Sequence, residues 1–188
     1  FTPGKEEAEG VDIAPAYHVP MGSHILFQCD DVLPELVIGV EICEDVWTPN
    51  PPSISHALAG ATLIVNLSAS DETTGKDIYR RELVAGQSAR LLCGYIYASA
   101  GDGESTQDVV YSGHNIIAEN GAVLAEYERF TNETVYSEID MERLVYERRR
   151  MSTFAAGSRG KDYLRFSFFI DKSDTKLSRF VDPAPFVP

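Results

Sequence analysis

Short β-branched apolar runs alternate with longer amphipathic stretches along this chain, and their spacing predicts a definite series of elements. His24-Ile25-Leu26-Phe27-Gln28-Cys29 reads as a strand, and Asp30, Asp31 and Pro34 separate it from a second strand, Val37 to Ile42. Ser53 to Ala59 follows two prolines, offers a serine N-cap and stops at Gly60, which predicts a short helix. Thr62 to Leu67 is nearly all apolar, the pattern of a strand buried on both faces of a parallel sheet. After a polar loop, Ser68 to Gly75, the longest helical pattern runs from Lys76 to Cys93. It places Ile78, Ala85, Ala89 and Leu92 on one face, widened by Val84 and Leu91. Arg81 falls inside this stripe and is expected to pair with a buried carboxylate, with contact to a substrate as the alternative.

Beyond this helix, Gly94 to Ala100 reads as a strand and Gly101 to Gln107 as a polar loop. His114 to Glu119 and Ala122 to Tyr127 flank Asn120-Gly121, a pair that suits a tight hairpin because both turn positions need positive φ. Thr134 to Ile139 is a further strand candidate. Asp140 caps a last helix, Met141 to Met151, whose basic end Arg148-Arg149-Arg150 suits a helix C-terminus. Residues 1–23 read as loop with one short strand near Ala16 to Val19. The series is α/β, a parallel portion followed by antiparallel strands. One layer of helices would leave the other sheet face bare, so a further layer is expected over it.

The point where chemistry enters is Cys43. It stands where the strand ending at Ile42 must stop, before Glu44-Asp45-Val46-Trp47 and the breaker Thr48-Pro49-Asn50-Pro51-Pro52. Two roles are open to a thiol at such a junction. It is either a small core residue or a nucleophile projecting into a cleft beside backbone N–H groups. The other cysteines, Cys29 and Cys93, have no close spacing to it, so neither a disulfide framework nor a zinc site is indicated, and a reducing cytoplasm fits best. His18, His24, His56 and His114 do not cluster along the chain, so a Cys-His catalytic pair has no local signature. Asp30-Asp31, Glu6-Glu7-Ala8-Glu9 and Glu44-Asp45 read as solvated surface in preference to a metal site; no metal is expected.

The 188 residues suffice for one domain with a core, and the net charge of −13 argues against nucleic acid or an anionic membrane as partner. No apolar run reaches the roughly 20 residues of a membrane span, and no signal peptide is visible. The chain begins at Phe1, and three prolines fall in its last six residues, which reads as a linker; a piece of a longer polypeptide is expected.

The strings Gly39-Val40-Glu41-Ile42-Cys43-Glu44-Asp45-Val46-Trp47, Asn66-Leu67-Ser68-Ala69-Ser70, Tyr79-Arg80-Arg81, Gly101-Asp102-Gly103-Glu104-Ser105 and Tyr111-Ser112-Gly113-His114 resemble the nitrilase, or carbon–nitrogen hydrolase, superfamily. Within it they are most similar to the glutaminase domains of glutamine-dependent NAD synthetases. The resemblance spans about residues 1–170 and implies a four-layer α-β-β-α sandwich, here lacking its N-terminal part, with 171–188 leading towards an absent synthetase domain.

What the resemblance implies for activity is hydrolysis of L-glutamine by a Cys-Glu-Lys triad through a cysteine thioester, with Cys43 as nucleophile and the Glu44 backbone amide facing the oxyanion. Glu44 and Ser70 would hold the substrate ammonium end and Lys76 its carboxylate. The family's triad glutamate and lysine lie upstream of this motif and find no match here. Lys5 resembles the stretch just after the lysine region, and the role is not carried onto it. The chain alone is therefore expected to have little activity. The ammonia would serve amidation of deamido-NAD in the synthetase domain, where ATP and Mg are expected; this portion needs no cofactor. A homo-oligomer is expected. The alternatives are a non-catalytic nitrilase-like assembly module and a stand-alone nitrilase or amidase acting on another amide.

Overall fold

The computed structural model describes residues 8–156, 162–172 and 175–182. In chain order the elements are β1 (Ala8–Ile13), β2 (Ala16–Met21), β3 (Ile25–Cys29), β4 (Val37–Ile42), α1 (Pro52–Leu58), β5 (Leu63–Ser68), α2 (Lys76–Leu91), β6 (Gly94–Ser99), β7 (Ile116–Glu119), β8 (Ala122–Glu126), α3 (Met141–Arg150), α4 (Ser152–Ala156) and β9 (Leu164–Phe168). Among the described residues, seven strands form one sheet in the order β8-β7-β6-β5-β4-β3-β9. β4, β5 and β6 run parallel, and β3, β7 and β8 join them antiparallel to their neighbours. This is the mixed α/β arrangement expected. Parallel β4 and β5 need a crossover, and α1 supplies it; α2 does the same between β5 and β6.

The first face of the sheet buries Leu26, Val37, Ile64, Tyr95, Tyr97 and Ile116 against α1 and α2. On the second face, Met141 and Leu144 of α3 pack with Ile139 onto Leu63, Val65, Ile38 and Ile96. That face is therefore not bare, as expected from one helical layer. Among the described residues, Val40, Ile42 and Leu67 towards the carboxyl ends of β4 and β5 are 37%, 51% and 56% exposed. Of the two facing sheets a four-layer sandwich contains, the large sheet is one.

Several expectations are corrected. α2 ends at Leu91, where Leu92 turns left-handed at φ 47° and its N–H donates to the Ser88 and Ala89 carbonyls. Its buried face is Arg80, Val84, Gln87, Ser88 and Leu91, whereas Ile78 is 62% exposed. The helix is thus rotated about one residue from the apolar stripe. Its buried polar side chains Gln87 and Ser88 are hydrogen-bonded to their surroundings. Gln87 donates to Ser53 Oγ at 2.9 Å, Ser88 Oγ to the Ala85 carbonyl at 2.8 Å, and the Gly121 N–H to Ser88 Oγ at 2.9 Å. The ion pair expected of Arg81 with a buried carboxylate belongs to Arg80; Arg81 is half exposed and meets Glu126 on the rim.

In α1 the N-cap is Pro51, with Pro52 at the first helical position, and Ser53 lies inside the helix. Thr134 to Ile139 pairs with no strand; it crosses the second face, where Ile139 packs over Gly94. β1 and β2 form a hairpin where loop with one strand near Ala16 to Val19 was expected. β9 adds an unexpected edge strand parallel to β3, over 130 residues away in sequence. Asp171 and Arg179 are each bonded to the domain. The Asp171 N–H donates to Asp31 Oδ2 at 2.9 Å, and Arg179 Nη2 donates to Glu119 at 2.8 Å.

Candidate active site

β4 runs into Cys43, which sits at φ 53°, a left-handed conformation that a non-glycine residue adopts at a cost of about 1–3 kcal/mol unless its surroundings impose it. A turn of 3-10 helix, Cys43–Trp47, follows directly. Asp45 ties its start down, because Oδ2 accepts the Ile42 N–H at 2.7 Å. Thr48 closes its end, with Oγ1 donating to the Asp45 carbonyl at 2.9 Å. The turn lifts the Cys43 side chain out of the sheet. It is half-buried, whereas Cys29 and Cys93 are buried, and burial pushes the Cys93 thiol up to about 12.

Cys43 opens into a cleft of about 410 Å³ lined also by Glu44, Trp47, Ala69, Ser70, Asp71 and Lys76. The four residues singled out from sequence therefore share one cavity. Sequence reasoning missed Trp47 and Asp71. Trp47 is an apolar wall, packed on Tyr79 at 5.3 Å between ring centroids, with the Lys76 ammonium 5.5 Å from its own ring centre. Asp71 forms an ion pair with Lys76, whose hydrogen bond holds the Asp71 carboxyl below the usual range. Lys76 is therefore an already paired cation. The Cys43 thiol faces the Ala69 carbonyl oxygen at 3.8 Å, an acceptor that takes no proton.

Behind the cleft lies a buried polar assembly. Arg80 is wholly buried. Its Nη1 donates to Glu72 at 2.6 Å and to His114 Nδ1 at 2.9 Å, and its Nη2 donates to Ser70 Oγ at 3.2 Å and the Asp71 carbonyl at 3.4 Å. Since Arg80 only donates, His114 Nδ1 accepts, and Nε2 carries the hydrogen given to Glu126 at 2.7 Å. Burial works against the Glu72 charge, but hydrogen bonds from Ser112 and Arg80 outweigh it and hold that carboxyl low. On the other side of the turn, burial raises Glu41, although Tyr95 and Ser53 donate to it.

No histidine lines the Cys43 cleft. His56 is held between the Val40 carbonyl at 3.0 Å and the Tyr163 hydroxyl at 2.8 Å, and burial lowers its pKa. Asp31 binds the Ile170 and Asp171 N–H groups, and Asp45 caps its turn. Lys5, Glu6 and Glu7 lie outside the described residues. Among the described residues, no group of three His, Cys, Asp or Glu is placed to hold a metal ion, and no helix is long and apolar enough to cross a membrane.

A thiol on a sharp turn, an apolar wall, a cation and two carboxylates in one cleft suit attack on a small polar carbonyl compound. Comparison with known proteins shows the family. The glutamine-dependent NAD(+) synthetase of Mycobacterium tuberculosis (strain ATCC 25618 / H37Rv) is 44% identical over 197 aligned positions, covering 100% of this chain and 29% of that protein. The corresponding Homo sapiens protein is 32% identical, covering 82% of this chain and 22% of its own length. The chain thus spans under a third of the length of these relatives. The crystal structure of a glutamine-dependent NAD(+) synthetase from Cytophaga hutchinsonii superposes with a TM-score of 0.55 at 30% identity, covering 71% of this chain and 20% of that one. Saccharomyces cerevisiae Nit3, of the nitrilase superfamily, shares the fold with a TM-score of 0.53 at 23% identity, covering 62% of this chain and 42% of its own. The family profile described as carbon-nitrogen hydrolase matches residues 9–149, and the chain belongs to that family.

Proposed function

We propose that the cleft is the acyl-transfer site of a glutaminase and that L-glutamine is its substrate. The observation that carries this reading is the joint lining of one cavity by Cys43, Glu44, Ser70 and Lys76. The Cys43 sulfur attacks the side-chain amide carbon, and the carbonyl oxygen takes up the negative charge beside the Glu44 N–H. The C–N bond then breaks, the nitrogen leaves as ammonia once protonated, and water hydrolyses the thioester to glutamate. Trp47 covers the substrate methylenes, Glu44 and Ser70 meet the α-ammonium, and Lys76 meets the α-carboxylate as a point charge.

The Cys43 sulfur bonds only to a carbonyl oxygen among the described residues. Without a general base, worth about 10²–10⁴-fold, the described residues on their own would be slow. The ammonia would be used by a synthetase domain as partner, where ATP and Mg act, and the domain would self-associate. The relatives' names and the shared fold support this wider reading. Ammonia release from L-glutamine tests it. A polypeptide of the relatives' length carrying this segment should turn over and lose activity on Cys43→Ala, while the 188-residue chain should be at least a hundredfold slower. Undiminished turnover by the Cys43→Ala variant overturns the proposal.

A further inference from the structure

Asn66 stands fully buried on β5, opposite Glu41 of β4 in the parallel ladder, and it does not line the cleft. Its side-chain Oδ1 accepts the Cys43 N–H at 3.1 Å, and its Nδ2 donates to the Cys43 carbonyl at 3.4 Å. The amide orientation follows from chemistry, because an N–H must meet an oxygen and a carbonyl must meet an NH₂. One side chain therefore grips both backbone polar groups of the residue at φ 53°.

The grip is anchored in turn. Nδ2 also donates to the Tyr95 hydroxyl at 3.3 Å, Tyr95 donates to Glu41, and Glu41 Oε2 accepts the Ser53 N–H at 2.9 Å in the first turn of α1. A buried hydrogen-bonded chain thus runs from α1 through β4, β6 and β5 to the thiol-bearing turn. It uses none of the groups assigned to substrate. The Cys43 N–H is consumed by Asn66, so it is not available to an oxyanion, and that task falls to the following amide.

We infer that Asn66 is a positioning residue for the nucleophile: its side-chain amide imposes the left-handed conformation from which the Cys43 thiol projects into the cleft. The inference rests on the acyl-transfer reading above. It separates the reactivity of the sulfur, which Asn66 does not touch, from its aim, which Asn66 sets. A misplacement near 1 Å costs on the order of 10²-fold in a positioned reaction.

Alkylation of Cys43 by two reagents tests it, on a polypeptide of the relatives' length carrying this segment, with labelled peptides identified by mass. The small reagent is iodoacetamide; the substrate-shaped one is a glutamine analogue with a diazoketone in place of its side-chain amide. In Asn66→Ala, the iodoacetamide rate at Cys43 should stay within about twofold while the analogue rate falls about 10–10²-fold. Cys29 and Cys93 should remain unlabelled. Tyr95→Phe, which removes one anchor of Asn66, should lower the analogue rate in the same direction by a smaller factor, and it serves as the test if Asn66→Ala does not fold. Equal rate changes for the two reagents in both variants, or unchanged analogue rates, overturn the inference. If the analogue fails to label Cys43 in the parent polypeptide of the relatives' length, the acyl-transfer reading fails instead.

Discussion

At the scale of single residues, the cleft's least expected feature is the Asp71–Lys76 ion pair. A carboxylate substrate must draw Lys76 away from a partner it already has. Asp71→Asn should release the lysine. The expected outcome is a several-fold lower KM for glutaramate, the glutamine analogue lacking the α-amino group, with kcat little changed, read by ammonia release in a polypeptide of the relatives' length. An unaltered or higher KM would show that Asp71 does not restrain Lys76. The position of Cys43 at the end of β4 was legible in the sequence because a β-branched run ends there and a proline-rich stop follows within a few residues. Asp71 and Arg80 were not. A buried polar residue carries no periodic signature, and its partners Glu72, His114 and Ser70 are brought to it by folding alone.

At the scale of elements, the packing of α1 on β4 depends on a missing side chain. A Cβ on Gly39 would stand 2.9 Å from the His56 Cβ and 3.2 Å from the Ala61 Cβ, closer than side chains approach. Gly39→Ala should therefore destabilise by about 1–3 kcal/mol, the usual cost of overpacking, read as a lower urea midpoint with an unchanged slope. A neutral result would mean that α1 shifts freely, and the seating of His56 and Ser53 beneath the thiol turn would lose its basis. The parallel strands, the Asn120-Gly121 hairpin and the Asp140-capped helix were all readable, since each has a local cause: an apolar run, a turn pair, a cap. The rotation of α2 and the edge strand β9 were not, because both are decided by partners far away in sequence.

At the scale of the whole molecule, the acidic character noted from composition is managed by pairing. Glu72, Glu126 and Asp71 each meet a cation and have lowered carboxyl pKa values. A carboxyl whose pKa is lower folded than unfolded stabilises the fold above its unfolded value and loses that contribution as pH falls through its folded value. Stability should therefore fall below pH 4.5, the ordinary glutamate value. Glu41 has the opposite sign. Its raised pKa favours the fold below 4.5, a contribution lost as pH rises through its folded value. Urea midpoints from pH 3 to pH 7 check this, taking a range about the reference carboxylate values. Glu72→Gln should flatten the acid limb, and an unchanged limb would show that the Arg80 assembly is not linked to folding.

The central claim is that the Cys43 thiol is presented to an amino-acid amide. The most direct measurement is the site and stoichiometry of labelling by the diazoketone glutamine analogue, with and without excess L-glutamine, in a polypeptide of the relatives' length carrying this segment. Expected is one label per chain, on Cys43, slowed by L-glutamine and not by an equal concentration of L-leucine. Labelling at Cys29 or Cys93, or labelling of Cys43 that L-glutamine does not slow, would contradict it.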